Sequence, residues 1–444
     1  MSFSRYPEYK DSGVQWLGEV PKHWSIRRLK HVLAQVTDRA NRRSNPIALE
    51  NIEGWSGRYV ETESDFSGGG VAFRAGDILF GKLRPYLAKV YLSESPGEAL
   101  GDFHVMRACV ALEPKFAFHQ LLQRQFISVV DGATHGAKMP RVGWEVMGNM
   151  PFVIPPSSEQ QTIATYLEHE TARIDGLIEE QKRLIELFKE KRQVVISHAV
   201  TKGLDRDVTM KDSGVEWLGE VPTHWAVTKV AYHYEVVLGK MLDERRITGK
   251  HLAPYLRNTD VQWDQINLER LPLMDFSPAD RKKYELKEGD LLVCEGGEVG
   301  RAAIWDGQKA ECYYQKALHR MRPLRKDLEV PRFMFYLLWH ASEQGRFTSM
   351  EGKSTIAHLP AETLRQYQFP FPPKGEQENI VFYLDRINSE MDKLVEEAEH
   401  SIHLLRERRS ALISAAVTGR IDVRDWQQSA GESVPAEGTQ KVTA

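Results

Sequence analysis

The sequence predicts an α+β chain built as two half-proteins in series, each a mixed α/β domain followed by a long helix. Three observations carry this. The stretch DSGVQWLGEVPKHW, Asp11 to Trp24, returns as DSGVEWLGEVPTHW, Asp212 to Trp225, with twelve of fourteen residues identical at an offset of 201. A longer duplication relates Pro155–Asp205 to Pro372–Asp422 at a constant offset of 217, without a gap. The blocks between these repeats resemble each other little. Self-similarity at this scale fixes architecture before any single residue is read.

The order of segments follows. A lead-in covers residues 1–24, a mixed domain 25–156 and a long helix 157–205; a second lead-in (206–225), domain (226–371) and helix (372–422) repeat the plan, and 423–444 form a tail. Pro-Pro before each helix blocks continuation on the N-terminal side, and Glu159 or Glu376 places negative charge in the first turn. Leu167, Ile174, Gln181, Phe188 and Val195 recur every seven residues, with Leu177, Ile178, Leu184 and Ile185 beside them. Leu384, Met391, Ala398, Leu405 and Leu412 repeat that grid, joined by Ile387, Leu394, Val395 and Ile402. An apolar face this long needs a partner rod, and the simplest partner is the other copy.

In the two blocks, AGDILFGKLRPYLAKVYL and EGDLLVCEGGEVGRAAIWDG each place a Gly-Asp turn before a short apolar strand, then another turn and strand. Helices are expected at 116–130 and 331–344. The tail turns polar and small, and disorder is expected beyond Gln428.

Composition bounds the function. The 444 residues are 41% hydrophobic, enough for real cores, and hold no run of about 18 apolar residues that would suggest a membrane span. The N-terminus lacks a signal-peptide layout, so a cytoplasmic location is expected. Cys109, Cys294 and Cys312 form no CxxC pair, and neither they nor the histidines offer a zinc site. The net charge of −3 is unevenly spread. Residues 22–150 hold 17 lysines and arginines against 13 acids, and 223–369 hold 22 against 20, whereas 157–205 and 370–422 are acidic. The domains therefore tolerate a polyanion better than the total suggests.

With these pieces in order, the sequence resembles the specificity (S) subunit of type I restriction-modification enzymes over nearly its whole length, Tyr6 to Asp422. The resemblance rests on the GVxWLGEVPxHW lead-ins, GDILFGKLRPYLAK at Gly76 to Lys89, CEGGEVGRAAIW at Cys294 to Trp305, YYQKALHRMRP at Tyr313 to Pro323, and the two PP..EQ helices. It implies two target-recognition domains, each reading half of a split DNA site, related by an internal pseudo-twofold repeat. It further implies that the long helices form an antiparallel coiled coil. Implied partners are double-stranded DNA, two adenine-N6 methyltransferase (modification) subunits and two restriction (motor nuclease) subunits. The chain itself would hold no catalytic centre, cofactor or metal.

Side chains reaching base edges specify sequence, while Lys and Arg on phosphates set register. Expected DNA contacts in the first domain are Lys82, Arg84 and Tyr86 in GKLRPYL, and Lys138 and Arg141 in HGAKMPRVG. In the second they are Arg301, then Gln315, Lys316, His319 and Arg320 in YQKALHR, then Lys353 and Ser354 in EGKST. The competing assignment makes Lys82 and Arg84 strand-edge charges and His319 a packed core residue. Expected coil residues are Leu167, Ile174, Leu177, Leu184, Ile185 and Phe188 on the first helix, and Leu384, Met391, Leu394, Ile402, Leu405 and Leu412 on the second. Partner docking is expected on the outer helix faces and at Trp16, Trp24, Trp217 and Trp225, against plain packing of those rings.

Two rival functions are weighed. FSGGG at Phe66–Gly70 matches a methyltransferase cofactor loop literally, but no buried strand precedes it, and IPPS and FPPK lack the catalytic Asp or Asn and the aromatic that stacks on a flipped base. A phosphate loop GxxxxGK[ST] is absent as well. A coiled-coil adaptor with two protein-binding domains is the other alternative; it gives no reason for a repeat in which only the inserts differ.

Overall fold

The computed structural model describes residues 4–40, 45–62, 69–242, 249–347 and 358–427. Two compact units divide the chain: Met1–Lys182 with Glu399–Ala444, and Arg183–Ala398.

The first unit holds an antiparallel sheet in the spatial order Leu33–Val36, Phe103–Ala108, Ile78–Gly81, Val90–Leu92. The second unit repeats the order with Tyr234–Leu238, Leu318–Pro323, Leu291–Cys294 and Ala302–Ile304. The register is the same: Phe103 faces Gly81, and Leu318 faces Cys294. The two GD-L strands are buried along their whole length, as their unbroken apolar runs require.

The shared Gly-Asp corner explains why two divergent sequences build one sheet. Gly76 and Gly289 have φ of +84° and +86°, a left-handed turn that glycine adopts without penalty. The aspartate that follows is then driven inside. Asp77 accepts both prongs of Arg107 at 2.7 and 2.6 Å, and Asp290 accepts both prongs of Arg322 at 2.6 Å each. The loop amides of Arg74 and Lys287 complete the acceptor shells at 2.8 and 2.7 Å.

The helix expected at 116–130 is two helices, Pro114–Leu121 and Arg124–Gly132. Gln123 between them has extended backbone at the N-terminal boundary of the second, a break that apolar periodicity does not reveal. Pro331–Glu343 is continuous.

The repeated Pro-Pro segments open helices of 46 and 44 residues, Ser157–Lys202 and Lys374–Val417. In the first unit Asp175 pairs with Arg409 at 3.0 Å; in the second Arg192 pairs with Asp392. Residue number rises on one helix as it falls on the other, so the pairing is antiparallel. Leu167, Ile174, Ile178, Leu384, Met391, Ala398 and Ile402 are buried, while Ile185, Phe188, Leu405 and Leu412 are half-buried.

Three expected seam residues are corrected: Leu177, Leu184 and Leu394 are exposed. Each is the first of an apolar doublet, Leu177-Ile178, Leu184-Ile185 and Leu394-Val395, and in each the β-branched second member turns inward. Seven-residue spacing sets the period of the stripe but not which flank faces the partner.

The opening repeat is a joint. Glu159, in the first helical turn, accepts hydrogen bonds from Trp24 Nε1 at 2.9 Å and Tyr6 Oη at 3.1 Å, and lies 2.7 Å from His23 Nε2. Glu376 does the same with Trp225 Nε1 at 3.0 Å and His224 Nε2 at 2.8 Å. The neighbouring glutamine faces the domain: Gln160 Oε1 accepts from the Glu113 amide at 2.8 Å, and Gln377 Oε1 from the Val330 amide at 2.9 Å, each at the start of a domain helix. Glu-Gln thus ties three segments together, twice over. Trp24 and Trp225 are fully buried, which favours packing over partner docking for those two rings.

Further braces hold each domain to the rods. Arg409 also donates to the Trp55 carbonyl at 2.8 Å, and Arg332 links Asp264 at 2.7 Å to Asp385 at 2.8 Å. The tail begins later than the sequence suggests, because Val423 is buried and Trp426 packs edge-on to Tyr166 with ring centroids 5.4 Å apart. The first lead-in meets the segment that follows the second long helix: the Asp422 amide donates to the Ser4 carbonyl at 2.9 Å, and Tyr9 Oη to the Gly419 carbonyl at 2.8 Å. Residues 428–444, for which disorder was expected, lie outside the described residues.

Candidate nucleic-acid interface

The first domain brings its five sequence candidates to one end of the sheet. Lys82 follows the buried strand; its amide donates to the Asp102 carbonyl at 2.8 Å, and its carbonyl accepts from the Val142 amide at 3.0 Å. The Arg84 amide donates to the Pro140 carbonyl at 2.8 Å, and a bridge between Leu83 and Arg141 ties this corner to the loop carrying Lys138. Arg84 and Ala88 both sit in the left-handed region, φ 50° and 47°, on either side of the turn Pro85–Leu87. Such geometry at a non-glycine residue costs on the order of 1 kcal/mol or more and collects at functional sites. It leaves Arg84 and Tyr86 exposed, with Lys138 exposed on the adjoining loop.

Charge at this end is balanced. Arg141 grips Asp102 with two hydrogen bonds of 3.1 and 2.9 Å, and Lys82 Nζ lies 3.7 Å from the same carboxylate. The guanidinium, with Lys82 behind it, holds the Asp102 carboxyl below the usual carboxylate range. Lys82 and Arg141 are therefore oriented by an acid, while Arg84 and Lys138 have no side-chain partner among the described residues. Asp102 was not anticipated from the sequence.

The second domain treats its candidates differently. Lys316 is exposed on a turn, and Gln315 beside it is half-buried, its amide donating to Leu256 at 3.0 Å. That turn is pressed against Gly239, where a Cβ would come within 2.3 Å of the Gln315 carbonyl oxygen. Three expected contacts are corrected. Arg301 has a side chain only 13% exposed and spends it on Glu298 at 3.1 Å and the Asn258 carbonyl at 2.9 Å. His319 is fully buried, its Nε2 2.7 Å from the Leu359 carbonyl, and burial pushes its pKa down. Arg320 is buried on the Lys283 carbonyl at 2.9 Å and Glu235 at 2.7 Å. Lys353 and Ser354 lie outside the described residues.

His319 has a twin that explains it. His104 occupies the same register in the first sheet, 3.0 Å from the Val142 carbonyl, with its pKa likewise lowered by burial. Both histidines latch the last loop of their domain onto the sheet. A lone sequence cannot separate a latch of this kind from a base-reading histidine. The parallel follows the count from the Gly-Asp corner, which also leads to Glu295 and, through the bridge from Gly296, to His358 at the corresponding end of the second sheet.

The type I restriction modification DNA specificity domain profile matches residues 235–402. The type I restriction enzyme MjaVIII specificity subunit of Methanocaldococcus jannaschii is 22% identical over 361 residues, covering 79% of this chain and 77% of that protein. The EcoBI specificity subunit of Escherichia coli is 20% identical over 352 residues, covering 74% and 71%. Among solved structures, a chain from work on complex assembly and conformational transition of the type I R-M system superposes with a TM-score of 0.70 at 19% identity, covering 90% of this chain and 99% of that one. The HsdS subunit from Thermoanaerobacter tengcongensis gives a TM-score of 0.53 at 20% identity, covering 90% and 98%. The domain profile over residues 235–402, the relatives spanning most of the length and the shared fold agree with the twin sheets and paired rods, and the chain is similar to the specificity subunits of type I restriction-modification enzymes.

Proposed function

We propose that each mixed domain reads one half of a bipartite duplex DNA site with the sheet end carrying Lys82, Arg84, Tyr86, Lys138 and Arg141 in the first domain and Gln315 and Lys316 in the second. The chain is a non-catalytic, DNA-recognising subunit that works in a complex with methyltransferase subunits. In the finer reading the paired helices set the spacing of the half-sites and dock two adenine-N6 methyltransferase subunits, with two restriction subunits in the full assembly. Among the described residues no helix is long and apolar enough to cross a membrane; the cytoplasm is the compartment where such a complex meets DNA.

The observation that carries the reading is a common sheet, held by the same Asp-Arg pair and the same Glu-Gln joint, whose ends bear different exposed side chains. A constant frame with variable tips suits the recognition of two unlike sequences. The test is to co-express the chain with a methyltransferase subunit and map methylated adenines in the host genome. A split motif is expected; methylation without one, or none where the complex assembles, would refute the reading.

Two further outcomes follow. Lys138→Ala removes one exposed cation, so binding should weaken alike on all sequences and the slope of log affinity against log salt should flatten by about 1. A sequence-selective loss in titrations at several salt concentrations would contradict this. Adding one heptad to both long helices keeps the apolar period and adds about 10 Å of rod, roughly three base pairs. The methylated motif should gain a spacer of that order, and an unchanged spacer would show that the rods do not set it.

A further inference from the structure

The two sheet ends can be superimposed residue by residue from hydrogen bonds alone. The Lys82 amide donates to Asp102 and its carbonyl accepts from Val142; the Glu295 amide donates to Ala317 at 3.0 Å and its carbonyl accepts from Leu359 at 2.8 Å. Leu83 bridges Arg141, and Gly296 bridges His358. Each residue lies five positions after the corner aspartate, one step beyond the paired Gly81 or Cys294. Equal position in equal register sends both side chains to the same face.

At that one position the charge is reversed. The first domain has Lys82 with an acid, Asp102, at its side; the second has Glu295 with two bases nearby, Lys316 and His358. Both side chains are half-exposed. Glu295 makes no hydrogen bond or ion pair with its side chain among the described residues, and burial pushes its carboxyl above the usual carboxylate range despite those bases. A half-desolvated acid without a donor is a cost to the folded chain.

On a surface that meets DNA such an acid has a narrow range of uses. A carboxylate is repelled by phosphates and offers acceptors only, so its complement on a duplex is an exocyclic amino group, N4 of cytosine or N6 of adenine, in the major groove. A lysine offers donors only, and its complement among base edges is O6 and N7 of guanine. We infer that Lys82 and Glu295 are equivalent specificity-determining residues of opposite sense, Lys82 reading a guanine in one half-site and Glu295 an amino-bearing base, cytosine foremost, in the other. This rests on the DNA-reading function proposed above.

The experiment uses the full chain with its co-expressed methyltransferase subunit, comparing wild type, Glu295→Gln and Lys82→Gln by mapping methylated adenines. In Glu295→Gln one position of one half-site should lose about 5- to 150-fold of its preference, the range that 1–3 kcal/mol of base discrimination represents, while the other half-site keeps its sequence. Lys82→Gln should relax a G·C position in the opposite half-site. A second arm needs no variant: wild-type complex is titrated with duplexes in which each cytosine is replaced by 2-pyrimidinone, each adenine by purine, or each guanine by 7-deazaguanine. One amino-group deletion in one half-site and one N7 deletion in the other should weaken binding. A split wild-type motif that survives both substitutions unaltered, or duplex replacements without a local effect, overturns the assignment of these two residues and leaves DNA recognition standing. Absence of any split motif in wild type overturns the functional reading itself.

Discussion

Trp225→Ala is expected to destabilise the second unit by about 3–5 kcal/mol, the range for deleting a buried tryptophan. The ring is fully buried, meets Phe333 edge-on at 6.4 Å between centroids, and donates Nε1 to Glu376. Its loss opens a cavity at the root of the long helix and removes a donor from a carboxylate that was placed to receive it. Trp225→Phe separates the two effects: most of the volume stays, the hydrogen bond goes, and a loss nearer 1–3 kcal/mol is expected. The first unit carries the same device in Trp24 and Glu159. A two-unit chain need not unfold in one step, so the measurement is calorimetry, with Trp225→Ala and Trp24→Ala expected to move different parts of the profile. A shift below about 1 kcal/mol in both would mean that the repeated lead-in is not a structural joint.

Arg322→Ala is expected to cost about 3–5 kcal/mol, because it strips a buried carboxylate of its bidentate partner. The Asp290 side chain is 1% exposed and would retain only the Lys287 amide. The corresponding change in the first domain, Arg107→Ala, should cost less. Asp77 is as deeply buried, but Arg107 is 38% exposed, so water can reach the site more readily once the guanidinium is gone. Arg322→Lys keeps the charge and loses the fork, and should fall between wild type and Ala. The check is urea denaturation of the full chain, read at the midpoint of the second unit's transition. Equal costs in the two domains would contradict the burial argument.

Much of the fold was legible because duplication exposes what both halves need. The lead-in tryptophans, the Glu-Gln pair and the seven-residue stripe recur at fixed offsets, and each has a physical task in the structure. The flank of the stripe was not legible at Leu177, Leu184 and Leu394, since adjacent apolar residues leave the choice to packing. Exposure of the candidate residues was legible where a charge stands on a turn, as at Arg84, Lys138 and Lys316. It was not legible where a polar residue lies on a strand that the fold buries. His319 and Arg320 look like Lys316 in sequence, yet the strand Leu318–Pro323 begins between them and takes them inside. Glu295, proposed above to read a base, drew no notice in the sequence because acids are discounted when a polyanion is sought.

The contact between Ser4 and Asp422 seats the first lead-in against the foot of the second long helix, inside one unit. That unit draws on both repeats and can close only after residue 422 has been synthesised, whereas the other comes from one unbroken stretch, Arg183–Ala398.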